Sequence, residues 1–290
     1  MKIFQTYSGP RQQSYLASGV IPYDYSGNGG TEYEIFKDVS RNGGAHLKSQ
    51  DAWGVLSWKF DIKCHISVQQ FKTLAQPLLN DGADCVFINP MVGAEAVFNN
   101  VWEQGVAYGH TGIERMLPFL IDRLYIKPED LFMSAEIFAF CNFFIARERF
   151  WRRYFDYVDG VLADLEFDAR MGGAAGILAA GPSHYVKNPA LSMKPFIVER
   201  LFSSFLPQSN LDVRCVRLDL SVYKAKFGAL LGNTLYRLSC LKNRSEAPSC
   251  ATRVRWGNLA RQITSGPSLM TIMHLDDPDI YIADVGLAAA

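Results

Sequence analysis

The chain alternates between short apolar runs and longer stretches in which hydrophobic residues recur every three or four positions. The apolar runs Lys2–Tyr7, Ala52–Phe60 and Ala83–Asn89 predict buried β-strands. Residues Ser67–Leu79 have the helical spacing and predict an α-helix between two of these strands. A strand–helix–strand order of this kind predicts an α/β fold with a mostly parallel sheet and crossover helices.

The second half of the chain continues with both patterns and then becomes mainly helical. The predicted strands are 138–146 and 213–222, and the predicted helices are 147–165, 195–206, 224–241 and 254–263. Two glycine-rich segments, Pro22–Thr31 and Ala169–Gly181, predict a loop and a closely packed or mobile stretch. Because the pattern changes after Pro207, we divide the chain into a sheet domain, residues 1–206, and a C-terminal extension, residues 207–290, that packs on it.

Composition limits the classes of protein to which the chain can belong. Its 290 residues, 49% of them hydrophobic, suit one large domain or a domain with an appended subdomain. Lysine plus arginine and aspartate plus glutamate both number 29, so the net charge is zero and no nucleic-acid partner is expected. The six cysteines contain no Cys-x-x-Cys pair, which predicts reduced thiols in a reducing compartment.

The hydrophobic stretches are too short to suggest an export signal or a membrane span. The first ten residues, MKIFQTYSGP, lack the apolar core of a secretory signal. The longest apolar stretch, Ile137–Ala146, is about half the length that crosses a bilayer. We therefore expect a cytoplasmic protein, with any membrane contact peripheral and on the inner face.

The chain has none of the widespread nucleotide, zinc-protease or hydrolase motifs, so candidate residues come from local clusters. The first cluster follows the opening strand–helix unit, where the carboxyl ends of parallel strands hold ligands. It is the loop Tyr23–Asn28, in which Asp24 has the acceptor oxygens to bind a ribose or a uracil. The alternative is an ordinary turn in which Asp and Asn bond their own backbone.

The second cluster is Ser57–Lys63, in which Lys59 and Lys63 stand four residues apart among aromatic neighbours. An ammonium group in a partly dry cleft is a natural partner for a diphosphate. Trp58 offers a flat ring on which a base or a sugar can stack. The alternative is a strand whose lysines extend into solvent.

The third cluster joins the strand end at Asn89 to a helix with Trp102, Glu103 and Gln104, and to His110 in a glycine-rich loop. Amide and carboxylate groups suit sugar hydroxyls, and His110 suits contact with a phosphate or proton transfer. The alternative is ordinary helix capping with an exposed histidine.

The fourth cluster is the charged pair Glu199 and Arg200 inside the apolar helix 195–206. Burying either charge requires a partner. An active-site carboxylate beside a guanidinium meets that requirement. The alternatives are an intramolecular salt bridge and a side chain that points into solvent.

Two longer blocks point to a family. The sequences Cys141–Leu162, CNFFIARERFWRRYFDYVDGVL, and Pro195–Leu206, PFIVERLFSSFL, resemble bacterial capsule and O-antigen glycosyltransferases of the GT-A-like kind. The order of YDYSGN, WGVLSWKF, ADCVFINP and NVWEQG is similar to that in polysaccharide-cluster proteins. The resemblance covers residues 1–206.

The resemblance implies a Rossmann-like sheet, a nucleotide-sugar donor and a glycan or lipid-linked acceptor. With the clusters above, the catalytic candidates are Glu199, His110 and Glu103. The donor-binding candidates are Tyr7, Asp24, Asn28, Lys59, Lys63 and Asn89, and the acceptor or sugar-binding candidates are Trp102, Gln104, Asn142 and Arg200. An inverting enzyme would use one of the catalytic candidates as a base, whereas a retaining enzyme needs no strong base.

The resemblance also bears on a metal cofactor. The strand end at Asn89 corresponds to the place where GT-A enzymes carry an Asp-x-Asp metal site, yet the only Asp-x-Asp is Asp277-Pro278-Asp279. We therefore assign no metal-ligating residue and leave open whether the protein uses Mn²⁺ or Mg²⁺ as a cofactor. Without a metal, Lys59, Lys63 and His110 would neutralise the donor diphosphate.

Two other functions remain open. One is a non-catalytic glycan-binding subunit of a polysaccharide assembly complex, and the other is a transferase with a phosphoribosyl-type donor. In the C-terminal extension, basic and apolar residues alternate over 224–241 and 253–261. That pattern suits a packed helix with a solvated basic face, or a helix that lies on an anionic membrane.

Overall fold

The computed structural model describes residues 1–26, 31–43, 46–47, 52–183, 191–208, 212–219, 222–245 and 251–276. The strands are β1 (Lys2–Tyr7), β2 (Ile21–Asp24), β3 (Trp53–Ser57), β4 (Cys85–Phe87), β5 (Phe144–Ala146) and β6 (Cys215–Arg217). The helices are α1 (Pro10–Gln13), α2 (Glu32–Asn42), α3 (Phe60–Cys64), α4 (Val68–Asn80), α5 (Val92–Val97), α6 (Val101–Ala107), α7 (Met116–Asp122), α8 (Glu148–Arg170), α9 (Ala174–Ala180), α10 (Lys194–Phe205), α11 (Tyr223–Asn243), α12 (Ala251–Thr264) and α13 (Ser268–Asp276). Short 3-10 helices occupy Ile113–Arg115 and Pro128–Leu131.

The strands form one mixed sheet in the order β2-β1-β3-β5-β4-β6. Strands β2, β1 and β3 are parallel to one another, as are β4 and β6, while β5 is antiparallel to both of its neighbours. Every strand except β5 therefore points the same way, and the predicted α/β fold with a mostly parallel sheet is confirmed. The strand order reverses at β1, because β2 lies on one side of it and β3 on the other.

Helices cover both faces of the sheet, because consecutive residues of a strand face opposite sides. Phe144 of β5 packs on Trp151 of α8, whereas the preceding Phe143 packs on Phe60 of α3. Trp151 also stacks flat on Trp53 of β3, with ring centroids 3.9 Å apart. Large buried rings of this kind dominate the hydrophobic contribution to folding.

The C-terminal helices α11, α12 and α13 pack around α5, which is buried over its whole length. Gly93 permits this close approach, because a Cβ there would stand 2.6 Å from the Phe227 ring. The N–H groups of Gly93 and Ala94 donate to the buried carboxylate of Asp276, which also pairs with Lys226 at 3.3 Å. These contacts tie α13 to α5 and α11. Within the parts of the chain described above, no helix is long and apolar enough to cross a membrane.

Three predicted elements differ from the structure. Of the described residues in the predicted strand 213–222, only Cys215–Arg217 form a strand, β6. Residues Ile21–Asp24, most of which lie in the predicted loop, form β2, because their backbone pairs with β1. Only the end of the predicted strand 138–146 is a strand, because the Ser203 hydroxyl bonds both the N–H and the carbonyl of Ala139. The glycine-rich segment Ala169–Gly181 fits the closely packed alternative, because its residues Ala174–Ala180 form α9, which packs on α8.

Candidate functional site

The carboxyl ends of the parallel strands meet along one edge of the sheet. In open α/β sheets, ligands bind outside these ends, at the point where the strand order reverses. Tyr7 and Asp24 end β1 and β2, and Ser57 ends β3. Because β5 runs the other way, Asn142, two residues before its start, lies at this same edge. The fold therefore gathers side chains from distant parts of the sequence at one place.

Glu32 and Asn142 form the centre of the candidate site. Glu32 is the first residue of α2, and the side chains of Thr31 and Glu34 cap this helix reciprocally. Asn142 donates from Nδ2 to Oε2 of Glu32 over 2.8 Å. Asn142 is only 2% exposed, and its Oδ1 has no hydrogen-bond partner among the described residues. A buried oxygen without a partner is rare and marks a place where a donor group of a ligand or a water is accepted.

The surroundings of the half-buried Glu32 raise the pKa of its carboxyl group to about 8. Burial is the largest cause, because the carboxylate loses hydration, and the neighbouring Glu199 carboxylate raises the pKa further. The hydrogen bond from Asn142 and the positive charge of Lys63 act in the opposite direction. A carboxyl group that titrates near neutral pH is suited to accept or donate a proton during a reaction.

Lys63 of α3 approaches the site through the residue that precedes Asn142. Its Nζ lies 3.7 Å from Sγ of Cys141. Cys141 and Asn142 have φ angles of 66° and 50°, a left-handed conformation that costs non-glycine residues roughly 1–2 kcal/mol each. Nζ of Lys226 donates to the carbonyl oxygens of Lys63 and Pro90. Strained backbone beside convergent polar groups is typical of functional sites.

An aromatic surface lies where β3 ends. The rings of Tyr15 and Trp58 are 5.5 Å apart, and Nζ of Lys59 lies 5.2 Å from the Trp58 ring. Tyr15 is 52% exposed, so a further flat ring can pack against this pair. The backbone N–H of Lys59 donates to Oγ of Ser57 over 3.0 Å, which fixes the turn into α3. A flat apolar surface beside a cation suits a nucleotide base with its phosphates.

Most of the predicted donor residues lie along this edge. They are Tyr7, Asp24, Lys59, Lys63 and Asn89, whereas Asn28 lies outside the described residues. Asp24 is exposed, and its Oδ1 accepts the N–H of Ser26 over 2.9 Å, which lowers the pKa of Asp24. Asn89 is buried, and its amide bonds both Met91 and Glu95. Asn89 therefore shapes the turn after β4 and does not present its amide to solvent.

Three of the predicted acceptor residues, Trp102, Gln104 and Arg200, lie together in the buried contact between α6 and α10. The guanidinium of Arg200 donates to two backbone carbonyls and to Oε1 of Gln104, at 2.7–3.1 Å. The indole N–H of Trp102 donates to a serine hydroxyl of α10. These contacts fix the position of α10, which carries Glu199. Asn142 is the fourth predicted acceptor residue, and it contacts Glu32 directly.

Glu199 and His110, two of the predicted catalytic residues, have different surroundings. Glu199 is half-buried and lies within electrostatic reach of Glu32. The ring of His110 packs on Phe196, with centroids 4.0 Å apart. Burial, and then the charge of Arg200, lower the pKa of His110 to about 4, so its imidazole is neutral at pH 7.

Glu103, the third predicted catalytic residue, lies at a cavity of about 360 Å³ between α6 and α12. Its carboxylate accepts from the backbone N–H and the side-chain amide of Asn99, both at 2.7 Å. Arg253 and Trp256 line the same cavity. The structure therefore does not bring Glu103 together with Glu32 and Asn142.

Sequence reasoning missed Glu32, Cys141 and Tyr15. A signal for Glu32 was present, because Thr31-x-x-Glu34 is the capping-box pattern and marks a helix start directly after the loop that follows β2. No local signal marks Cys141, because its left-handed backbone follows from the way the chain enters β5. Tyr15 becomes relevant only through its contact with Trp58.

The described residues at the end of β4 do not fit a metal ion held by carboxylates. Asn89 stands there in place of an aspartate, and Glu95 pairs with Arg217 at 2.7 Å. Among the residues with described positions, no group of three or more His, Cys, Asp and Glu side chains could hold a metal ion. The pair Asp277 and Asp279 lies outside these residues.

Comparisons with known proteins add no family to this picture. No protein-family model matches the chain, and neither the curated proteins nor the solved structures contain a significant match.

Proposed function

We propose that this protein is a glycosyltransferase that moves a sugar from a nucleotide-activated donor to a hydroxyl of a glycan or lipid-linked acceptor. The observation that carries the proposal is the convergence of Glu32, Asn142, Lys63 and Glu199 at the carboxyl edge of the sheet. Two carboxylates, an ammonium and an amide can together bind a charged donor, orient hydroxyl groups and move a proton. The sequence resemblance to capsule and O-antigen enzymes favours surface-polysaccharide synthesis as the setting.

The donor nucleotide is assigned to the reversal point between β1 and β3. Its base would pack against the exposed ring of Tyr15 and the half-buried ring of Trp58, which follows β3. Asp24, at the end of β2, has an exposed carboxylate that can accept from ribose hydroxyls. Lys59 and Lys63 would contact the diphosphate, which places the sugar near Glu32.

The proposed reaction is a direct displacement. An acceptor hydroxyl oxygen attacks the anomeric carbon, and the bond between that carbon and the diphosphate oxygen breaks. The ionised form of Glu32 takes the hydroxyl proton, and the nucleoside diphosphate leaves with the electron pair of the broken bond. Lys63 and Lys59 stabilise its negative charge. Attack from the opposite side inverts the configuration at the anomeric carbon.

The pKa of Glu32 favours an enzyme over a glycan-binding subunit. A binding subunit would also use the aromatic surface and the polar edge, but it gains nothing from a carboxyl group with a pKa of about 8. Strongly shifted pKa values occur preferentially where a proton must be transferred. A phosphoribosyl-type donor would use the same lysines, so a donor screen separates this third possibility.

The test is a thermal-shift screen of the full chain against nucleoside diphosphates, nucleotide sugars and phosphoribosyl diphosphate, each with and without Mn²⁺. A ligand at 100 times its dissociation constant adds about 2.7 kcal/mol of stability, which is readily measured. Trp58→Ala should remove the shift, and Phe167→Ala, an exposed ring on α8, is the matched control.

The outcomes separate the candidate functions. A selective shift with one nucleotide sugar, followed by acceptor-dependent release of its nucleoside diphosphate, supports the transferase and identifies the donor. A shift with phosphoribosyl diphosphate alone moves the assignment to that donor class. No shift with any nucleotide or with phosphoribosyl diphosphate would overturn the proposal and favour the glycan-binding subunit.

A further inference from the structure

The C-terminal helices carry a local excess of positive charge. Residues 223–264 contain eight basic residues and one acidic residue, although the whole chain has 29 of each kind. Lys226 and Lys242 are buried and bonded within the fold. Arg237 and Arg255 are exposed, and among the described residues neither forms an ion pair. The charge of these two arginines therefore faces outward.

Helices α11 and α12 pack side by side and leave a groove of about 510 Å³ between them. The side chains of Leu241, Leu259 and Ile263 form the apolar part of the groove lining. Arg237 and Arg255 line the same groove. On α12, the residues at 255, 259 and 263 follow one another along a single side of the helix, because they are four apart. Each helix thus contributes one arginine and at least one large apolar side chain to the same groove.

Exposed apolar surface continues along α11 beyond the groove. Leu230 lies seven residues, or two helical turns, before Arg237 and is 86% exposed. In the groove itself, Leu259 of α12 is 39% exposed. Exposed apolar side chains that adjoin one another form the kind of surface that soluble proteins use for interactions.

We propose that this face of α11 and α12, defined by Leu230, Arg237, Leu241, Arg255 and Leu259, docks the protein on an anionic lipid bilayer. The leucines would enter the boundary between headgroups and acyl chains, and the arginines would contact lipid phosphates. Helices that lie in the plane of a membrane interface bind by this combination of apolar area and cationic charge.

A bilayer fits this face better than an acidic protein helix. One helix seated across the groove would cover Leu241 and Leu259 but would leave Leu230, about three turns before Leu241 in α11, in water. A bilayer surface covers both helices at once and supplies apolar and anionic groups together. The inference does not depend on the proposed function, because vesicle binding requires neither donor nor acceptor.

The test is co-sedimentation of the full chain with vesicles of phosphatidylcholine alone and of phosphatidylcholine mixed with phosphatidylglycerol. We expect binding to the mixed vesicles that weakens with added salt. The double variant Arg237→Glu/Arg255→Glu should lose at least roughly tenfold in partitioning, because each cation near the surface contributes substantially. Leu230→Ser/Leu259→Ser should also weaken binding, since it removes apolar area without changing charge.

The matched control is Arg152→Glu/Arg170→Glu, which makes the same charge change at two exposed arginines of α8. It should bind the mixed vesicles as the wild-type chain does, and unchanged melting temperatures exclude misfolding. The proposal is overturned by equal binding to both vesicle types, by equal losses in the two arginine double variants or by no vesicle binding at all. The last result would assign the face to an acidic protein partner.

Discussion

Asn142 and Glu32 lie 110 residues apart in the sequence and are joined by a hydrogen bond of 2.8 Å from Nδ2 to Oε2. The amide comes from the chain entering the antiparallel strand β5, and the carboxylate from the first turn of α2. Because the amide donates to the ionised carboxylate, it lowers a pKa that burial raises. The hydrogen bond therefore extends to lower pH the range in which Glu32 can act as a base.

Replacing Glu32 by glutamine removes the base and keeps an acceptor oxygen for Asn142. We expect kcat to fall roughly 10²- to 10⁴-fold, the usual contribution of a general base, while donor affinity changes little. Steady-state kinetics and a donor thermal shift measure the two effects separately. Glu114→Gln changes an exposed carboxylate and should keep full activity. Full activity of Glu32→Gln would exclude Glu32 from the chemical step.

The transfer rate should depend on pH through Glu32. Because the base must be ionised, kcat should rise with pH and level off above the pKa of about 8. Asn142→Gly removes a hydrogen bond that lowers this pKa, and glycine suits the positive φ at this position. The rise of kcat with pH should therefore occur at higher pH in this variant than in the wild-type chain. Overlapping pH–rate profiles of the two proteins would contradict the role assigned to Asn142.

The same pKa predicts a pH-dependent stability difference that needs no activity assay. The carboxyl group of Glu32 has a pKa of about 8 in the folded chain and an ordinary value of 4.5 when unfolded. The folded state therefore binds the proton more tightly, and the wild-type chain loses stability as pH rises from about 4.5 to about 8.

Glu32→Gln has no titratable group at this position, so its stability does not fall over this pH range. One pKa unit corresponds to about 1.4 kcal/mol, and solvent access to the half-buried carboxylate reduces the total, so we expect a gain of about 1–3 kcal/mol above pH 8. Urea unfolding of both proteins in acid and in alkaline buffer measures the difference. A difference in unfolding free energy between the two proteins that stays constant with pH would contradict the raised pKa of Glu32.

The buried ion pair between Lys226 and Asp276 should be essential for the packing of the C-terminal helices. Asp276→Ala leaves the ammonium group of Lys226 buried without its carboxylate and should lower the free energy of unfolding by about 3–5 kcal/mol. Asp212→Ala breaks exposed ion pairs with Arg149 and Arg153 and should leave stability close to that of the wild-type chain. Denaturant unfolding of the three proteins tests this, and equal stabilities would show that Asp276 is not needed there.

The elements that could be predicted are those whose pattern is local and long. The helix predicted over 67–79 is Val68–Asn80, and the amphipathic pattern that begins at Arg147 is α8. The strand Ile21–Asp24 could not be predicted, because it has four residues, includes Pro22 and exists only through its pairing with β1. Short edge strands of this kind are specified by the partner strand and carry little signal of their own.

Site prediction was limited by a different cause. Lys63 and Glu199 were predicted from their residue types and Asn142 from the family resemblance, and the structure brings them to Glu32. Arg200 was predicted on similar grounds, but its guanidinium is held by acceptors of the surrounding helices. A sequence shows that a polar group lies in an apolar segment, but only the fold shows whether its partner is another side chain or is missing.

The segment between β4 and β5 leaves and re-enters the sheet at a single point. Phe87 pairs with Phe144, and the N–H of Ile88 donates to the carbonyl of Phe143 over 3.0 Å. An insertion whose two ends are already neighbours can change length without shifting any strand. Residues 88–143 end beside Glu32, while the aromatic surface and lysines assigned to the donor lie outside this stretch. Because α5 in this stretch holds α11, α12 and α13, exchange of residues 88–143 together with those helices should change the side chains beside Glu32 while keeping the surface assigned to the donor.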